Sequence, residues 1–183
     1  MLKKKMVISK KICLLGDPSV GKTSLVRRFV YSAYDDKYIS TIGTKVMKKE
    51  VEFEEEDTEA TVRLMIWDIA GQHSYQFVKK AYYDGAEAAL IVSDTTRRET
   101  LESFDNWVES IFSVTGKIPI IMLGNKCDMP EKAQFTLDDL KNIGAKYNCP
   151  CFLTSAKTGA NVEESFRSLA KILFEEYKSK SNK

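Results

Sequence analysis

The apolar run Ile12-Cys13-Leu14-Leu15 stops at Gly16. The next residues read Gly16-Asp17-Pro18-Ser19-Val20-Gly21-Lys22-Thr23, and a helical stripe of Leu25, Val26, Phe29 and Val30 follows. A run without polar alternation is the pattern of a strand buried on both faces. A buried strand that ends in a glycine-containing turn and opens directly into a helix leaves few folds available, all of them α/β. The turn matches G-x-x-x-x-G-K-[ST]. Its glycines let backbone N–H groups point inward at phosphate oxygens, the helix N-terminus adds positive potential, Lys22 reaches the β and γ phosphates, and the Thr23 hydroxyl suits magnesium. Alone, this motif implies a nucleoside triphosphate without naming the base or the reaction.

The remaining pattern extends the same architecture. Val62, Leu64 and Ile66 alternate with Thr61, Arg63 and Met65, which predicts a strand ending near Asp68. A less regular strand around Val46 to Phe53 precedes it across the acidic turn Glu54-Glu55-Glu56-Asp57. Ala88 to Val92 and Ile118 to Leu123 are further buried runs. Leu101, Phe104, Trp107, Val108, Ile111 and Phe112 lie between them on one helical face. A helix around Leu137 to Tyr147, a strand Cys151 to Thr154 and a last helix complete the order. The inner stripe of that helix runs from Val162 to Tyr177. Strands alternating with helices predict a six-stranded, mostly parallel sheet with helices on both faces, the α/β class of P-loop NTPases. The motifs fall at the carboxyl ends of strands, where such sheets bind ligands. With no repeat or linker, residues 1–183 are expected to form one domain between short basic tails.

Composition excludes several classes. Net charge is +2, too little to argue for nucleic acid, and no apolar run is long enough to cross a bilayer. The basic start, Met1 to Lys5, is followed by no signal-peptide pattern. Cys149-Pro150-Cys151 raises a redox or metal reading. With His73 as the only histidine, however, zinc is not the expected one. Cysteine usage points to a reducing, cytoplasmic setting, without a disulfide framework.

Asn125-Lys126-Cys127-Asp128 follows the strand ending at Leu123. An Asp128 carboxylate can accept from both N1–H and the 2-amino group of guanine. Adenine has an acceptor at N1 and no such amine, so it leaves that carboxylate unpaired, and sites of this kind reject the wrong ligand by roughly 10⁴–10⁵. On these motifs the chain resembles the small GTPases of the Ras superfamily across nearly its whole length. The resemblance implies nucleotide contacts from Asp17, Pro18, Ser19, Val20, Gly21, Lys22, Thr23 and Ser24. It assigns Asn125 and Asp128 to guanine, runs Lys126 along the base, and makes Ser155, Ala156 and Lys157 the last guanine loop, with the Ala156 N–H at the 6-oxo group. Tyr34 falls where the family sets an aromatic against the guanine. Thr23, Thr41 and Asp68 would hold Mg2+. The Gly71 N–H would touch the γ-phosphate, and Gln72 would orient the attacking water. Lys22, Thr41, Gly71 and Gln72 therefore form the expected catalytic set. Loss of the γ-phosphate would release the Thr41 and Gly71 loops.

Ser40-Thr41-Ile42-Gly43, Ile66 to Gln72 and Tyr82-Tyr83-Asp84-Gly85-Ala86 most resemble the Rab branch. The resemblance implies GTP and GDP as ligands and three kinds of partner: an exchange factor, an activating protein and effectors. Several residues depart from the pattern. Thr44-Lys45-Val46 stands where Rab proteins carry an acidic residue and then Phe. His73 replaces Glu, and Pro18 replaces a small residue. Tyr38 occupies the place of a cis arginine. The final Lys178 to Lys183 holds no cysteine for a prenyl anchor. At most weak peripheral membrane contact through basic residues is expected. The alternative is a nucleotide-dependent binding module that hardly hydrolyses GTP.

Overall fold

The computed structural model describes residues 4–35, 41–54, 58–70 and 76–181. Its strands are β1 (Lys4–Leu15), β2 (Thr44–Glu54), β3 (Thr58–Ile69), β4 (Ala88–Asp94), β5 (Ile120–Asn125) and β6 (Cys151–Thr154). Its helices are α1 (Lys22–Tyr31), α2 (Gln76–Tyr83), α3 (Arg98–Glu102), α4 (Phe104–Thr115), α5 (Leu137–Gly144) and α6 (Val162–Ser181). The strands form one sheet in the order β2-β3-β1-β4-β5-β6. Only β2 runs antiparallel to its neighbour; the other pairings are parallel. The expected six-stranded α/β sheet is therefore the observed one.

The period of two along β1 divides the core. Ile12 and Leu14 point to one face, where they pack with Leu64, Leu90 and Leu123 under α1 and α6. Phe29 of α1 stacks on Phe166 of α6 there, ring centroids 4.2 Å apart. Cys13 and Leu15 point to the other face, among Ile91, Met122, Trp107, Ile111 and Leu140 beneath α2 to α5. Every residue of β4 and β5 is buried, as a covered parallel sheet requires.

Helix α2 has no counterpart in the sequence expectation, and three further elements differ from it. β1 begins at Lys4, well before its apolar run. Its N-terminal half pairs with β3 from Lys4↔Thr58 onward, whereas β4 joins only at Ile12. One flank of that half carries no strand, so lysines are tolerated: Lys10 reaches Glu87 at 2.6 Å, and Lys11 lies 3.8 Å from the Trp67 ring centroid. The stripe expected as one helix around Leu101–Phe112 breaks into α3 and α4 at Ser103, whose hydroxyl donates to Asp17. The inner stripe of α6 stops at Phe174. Tyr177 is partly exposed beside Lys10, because the helix there has passed the edge of the buried core.

The chain reverses direction across the sheet at β1, whose neighbours β3 and β4 lie on opposite sides. That topological switch point opens a crevice at the carboxyl end of β1, and the Gly16–Thr23 loop occupies it.

Candidate functional site

The loop after β1 is shaped by what surrounds it. Gly16 has φ +139°, and a Cβ there would stand 2.2 Å from the Val92 carbonyl oxygen. Gly21 has φ +100°, and a Cβ there would stand 2.3 Å from Asn125 Nδ2. Both positions need glycine for backbone angle and for space. Lys22, buried at the start of α1, curls back so that Nζ donates to the Gly16 carbonyl at 2.7 Å and the Asp17 carbonyl at 2.9 Å. Burial lowers its ammonium to about 8, while the charges of Asp68 and Asp17 oppose that loss. The lysine is thus held as the cationic floor of the loop.

Three oxygens meet beside it. The Thr23 hydroxyl donates to Asp68 Oδ2 at 2.5 Å and lies 2.7 Å from the Thr41 hydroxyl. Thr23 comes from α1, Asp68 from the end of β3, and Thr41 from the segment before β2. Asp68 is fully buried, and its Oδ1 has no hydrogen-bond partner. Burial pushes this carboxyl above its ordinary value, against the pull of Thr23, Lys22 and Lys45. Hydroxyl and carboxylate oxygens with an orphaned buried acceptor are a donor set that fits a hard divalent cation such as magnesium.

A second constellation forms where β5 and β6 end side by side, Asn125 opposite Thr154. Asn125 is buried and joins three loops. Its Nδ2 donates to the Val20 carbonyl at 2.9 Å, and its Oδ1 accepts from the Ala156 N–H at 3.2 Å and the Thr154 hydroxyl at 3.3 Å. Lys126 adopts φ +69°, and the Cys127 N–H then donates to the Thr154 carbonyl at 3.0 Å. The Asp128 carboxylate, partly exposed, accepts from the buried Ser155 hydroxyl at 2.6 Å. Arg28 of α1 donates to the carbonyls of Ala156 and Lys157, and its guanidinium lies 5.9 Å from the Tyr34 ring centroid. Sequence residues far apart, Asp17 to Ser24, Asn125 to Asp128 and Ser155 to Lys157, are thereby drawn to one rim of the sheet. Gly71, Gln72, His73 and Tyr38 lie outside the described residues.

Several residues that hold this rim were not legible as such. Asp17 turns its carboxylate away from the crevice into α4, accepting from the Trp107 Nε1–H and the Ser103 hydroxyl, each at 2.8 Å. Asp94, buried at the end of β4, accepts from Lys126 at 2.6 Å and from the Thr96 hydroxyl at 2.7 Å. Burial opposes its ionisation, yet these bonds outweigh it and hold the carboxyl below its ordinary value. Arg97 bridges Asp94 to the Pro18 carbonyl. An acidic residue ending the apolar run Ala88–Val92 was the one available signal, because it sits at the carboxyl end of a central strand.

The Ras family pattern matches residues 11–175. The chain belongs to the Ras family. Among curated proteins it is 36% identical to Ras-related protein Rab-13 of Rattus norvegicus over 162 residues, 88% of this chain and 78% of that protein. It is 35% identical to Rab-8B of Homo sapiens over 173 residues, 94% and 82% of the two chains. RABG3f of Arabidopsis thaliana is 36% identical over 169 residues, 88% and 80% of the two chains. The protein is a Rab-like small GTPase of the Ras family. Among the described residues, no helix is long and apolar enough to cross a membrane.

Proposed function

We propose that this Ras-family GTPase is a guanine-nucleotide switch that hydrolyses GTP to GDP and phosphate with Mg2+, slowly by itself and faster with an activating partner. Support comes above all from Asn125. One buried side chain ties the loop after β1 to the loops after β5 and β6, so a phosphate cradle and a base-reading carboxylate are built as one unit. In this reading Asp128, oriented by Ser155, accepts from the N1–H and 2-amino group of guanine. Lys22 releases the loop carbonyls and turns its charge to the phosphates. Thr23, Thr41 and Asp68 hold the cation. Magnesium, when bound, offsets negative charge on the phosphate oxygens as the γ-phosphoryl group leaves. Gln72 positions the water and Gly71 donates to the γ-phosphate. Thr41 carries the nucleotide state to the surface: its neighbour Ile42 is 85% exposed, apolar area that an effector can cover when Thr41 is held. By its likeness to Rab proteins we place the switch in membrane trafficking or signalling, with exchange factor, activating protein and effectors as partners.

Competitive displacement of a fluorescent nucleotide tests the base assignment. Asp128→Asn puts an amide N–H against guanine donors, while xanthine offers a carbonyl at that position. The variant is expected to lose GTP by several kcal/mol and gain XTP, on the order of two charge-assisted hydrogen bonds. Unchanged preference for GTP would remove Asp128 from the site. Single-turnover hydrolysis, with and without Gln72→Leu, separates a GTPase from a binding module.

A further inference from the structure

Cys149 and Cys151 flank Pro150, Cys149 ahead of β6 and Cys151 as its first residue. Both thiols turn toward the C-terminal end of α5. The Cys149 thiol donates to the Gly144 carbonyl at 3.5 Å. The Cys151 thiol reaches two carbonyls, Leu140 at 3.7 Å and Cys149 at 3.5 Å. Gly144 is what makes room for them. A Cβ there would stand 2.5 Å from the Cys151 sulfur and 3.3 Å from the Cys149 sulfur, so both sulfurs converge on one point. A cavity of about 350 Å³ lies over the pair, lined by Lys141, Ala145, Asn148 and Pro150 as well as the two cysteines. A peroxide-sized molecule fits there. Cys13 makes the contrast: it is fully buried in the core, and burial pushes its thiol up to about 12.

We propose that Cys149 and Cys151 form a peroxide-reactive dithiol that closes into an intramolecular disulfide. The Cys151 thiol gives its proton to solvent and the thiolate attacks one peroxide oxygen; the S–O bond forms as the O–O bond breaks, and the departing hydroxide takes a proton back from solvent to form water. Cys151 is then a sulfenic acid. The Cys149 sulfur attacks the Cys151 sulfur, the S–S bond forms as the S–O bond breaks, and the departing hydroxide takes the Cys149 proton as a second water. Two thiols are oxidised, one hydrogen peroxide is reduced, and thiol exchange returns the pair to its starting state. Cys151 is the attacking sulfur: in the cavity it shares with Lys141, the neighbouring Cys149 thiol and then the Lys141 charge hold it below the ordinary thiol value, against burial. Cys149 is held above that value, first by its bond to Cys151, and so resolves. Cys149 lies ahead of the strand, so closure moves a loop residue while Cys151 keeps its place opposite Met122.

Trypsin cleavage after Lys146 and Lys157 isolates both cysteines in the peptide Tyr147–Lys157, apart from Cys13 and Cys127. The folded full chain is treated with hydrogen peroxide, unfolded in N-ethylmaleimide, digested and read by mass spectrometry. The expected peptide has lost two hydrogens and carries no maleimide, and dithiothreitol restores the dithiol. Cys149→Ser is expected to stop at a sulfenic acid on residue 151, trapped by dimedone. Cys151→Ser is expected to trap at least about tenfold less. Circular dichroism matching the parent chain establishes that each variant is folded. A parent peptide that takes two maleimides, or passes to sulfinic acid without disulfide, overturns the proposal. Equal trapping in the two variants overturns the assignment of Cys151 as the attacking thiol.

Discussion

At the scale of single residues, the site is held by side chains bonded to other parts of the protein, Asn125 and Asp128 foremost among them. Asp128 is aimed by one hydroxyl, so Ser155→Ala should leave the carboxylate in place but unoriented. The expected loss is about 1 kcal/mol, roughly fivefold in GTP affinity, read by nucleotide displacement, with the fold intact by circular dichroism. Asp94 makes a prediction about acid. Its folded carboxyl titrates below the ordinary value near 3.8, so the stability it contributes is present above that value and disappears as pH falls through the folded one. Asp94→Asn should therefore unfold at lower urea than the parent at neutral pH. The gap should begin to narrow below about pH 4 and close once pH has fallen through the folded value, where the parent's carboxyl is also neutral. A gap independent of pH would show that the charge of Asp94 is not what holds Lys126 and Thr96.

At the scale of elements, packing reverses what local propensity favours. Gly144 ends α5, and glycine in a helix is about 1 kcal/mol worse than alanine. Yet a methyl group here collides with the Cys151 sulfur at 2.5 Å. Gly144→Ala should thus destabilise by about 1–3 kcal/mol, and Cys151→Ala in the same chain should recover most of it. Denaturant midpoints of the four-protein cycle check this. The junction of α3 and α4 follows a similar rule. Ser103 interrupts a stripe that is helical throughout, and its hydroxyl and the Trp107 indole both bind Asp17. Asp17→Asn would set an amide N–H against one of those donors, at a cost of about 1–3 kcal/mol. Urea unfolding midpoints of the parent and the variant check this.

At the scale of the molecule, the site belongs to no single element: its residues come from the ends of β1, β3, β5 and β6, from the start of α1 and from the segment before β2. Asn125 sits where these loops meet, and its removal should be felt without any ligand. Asn125→Ala strands the Val20 carbonyl and the Ala156 N–H in a buried environment. The expected cost is about 2–4 kcal/mol in urea unfolding of the nucleotide-free chain. If stability is unchanged and only nucleotide affinity falls, Asn125 is a ligand contact and not the joint between loops.

The order of the strands, the covered sheet and the motif positions, though not α2 or the break between α3 and α4, could be read from the chain alone, because burial on two faces and helical stripes leave period and composition signals that do not depend on distant partners. Lys22, Thr23 and Asp128 stood out from the chemistry of their contiguous motifs, Asp68 and Asn125 only from the resemblance those motifs carry; the fold brings all five to one rim. Neither the commitment of Asp17 to Trp107 nor the start of β1 at Lys4 was available that way. Nor were the tie from Arg28 to the loop after β6 and the meeting of two thiols over Gly144. Each depends on partners distant in sequence, as Trp107 is from Asp17, or on how separate elements close on one another. Hydrogen bonds and short-range contacts act only between groups already brought together, and closing the chain into one core is what brings them there.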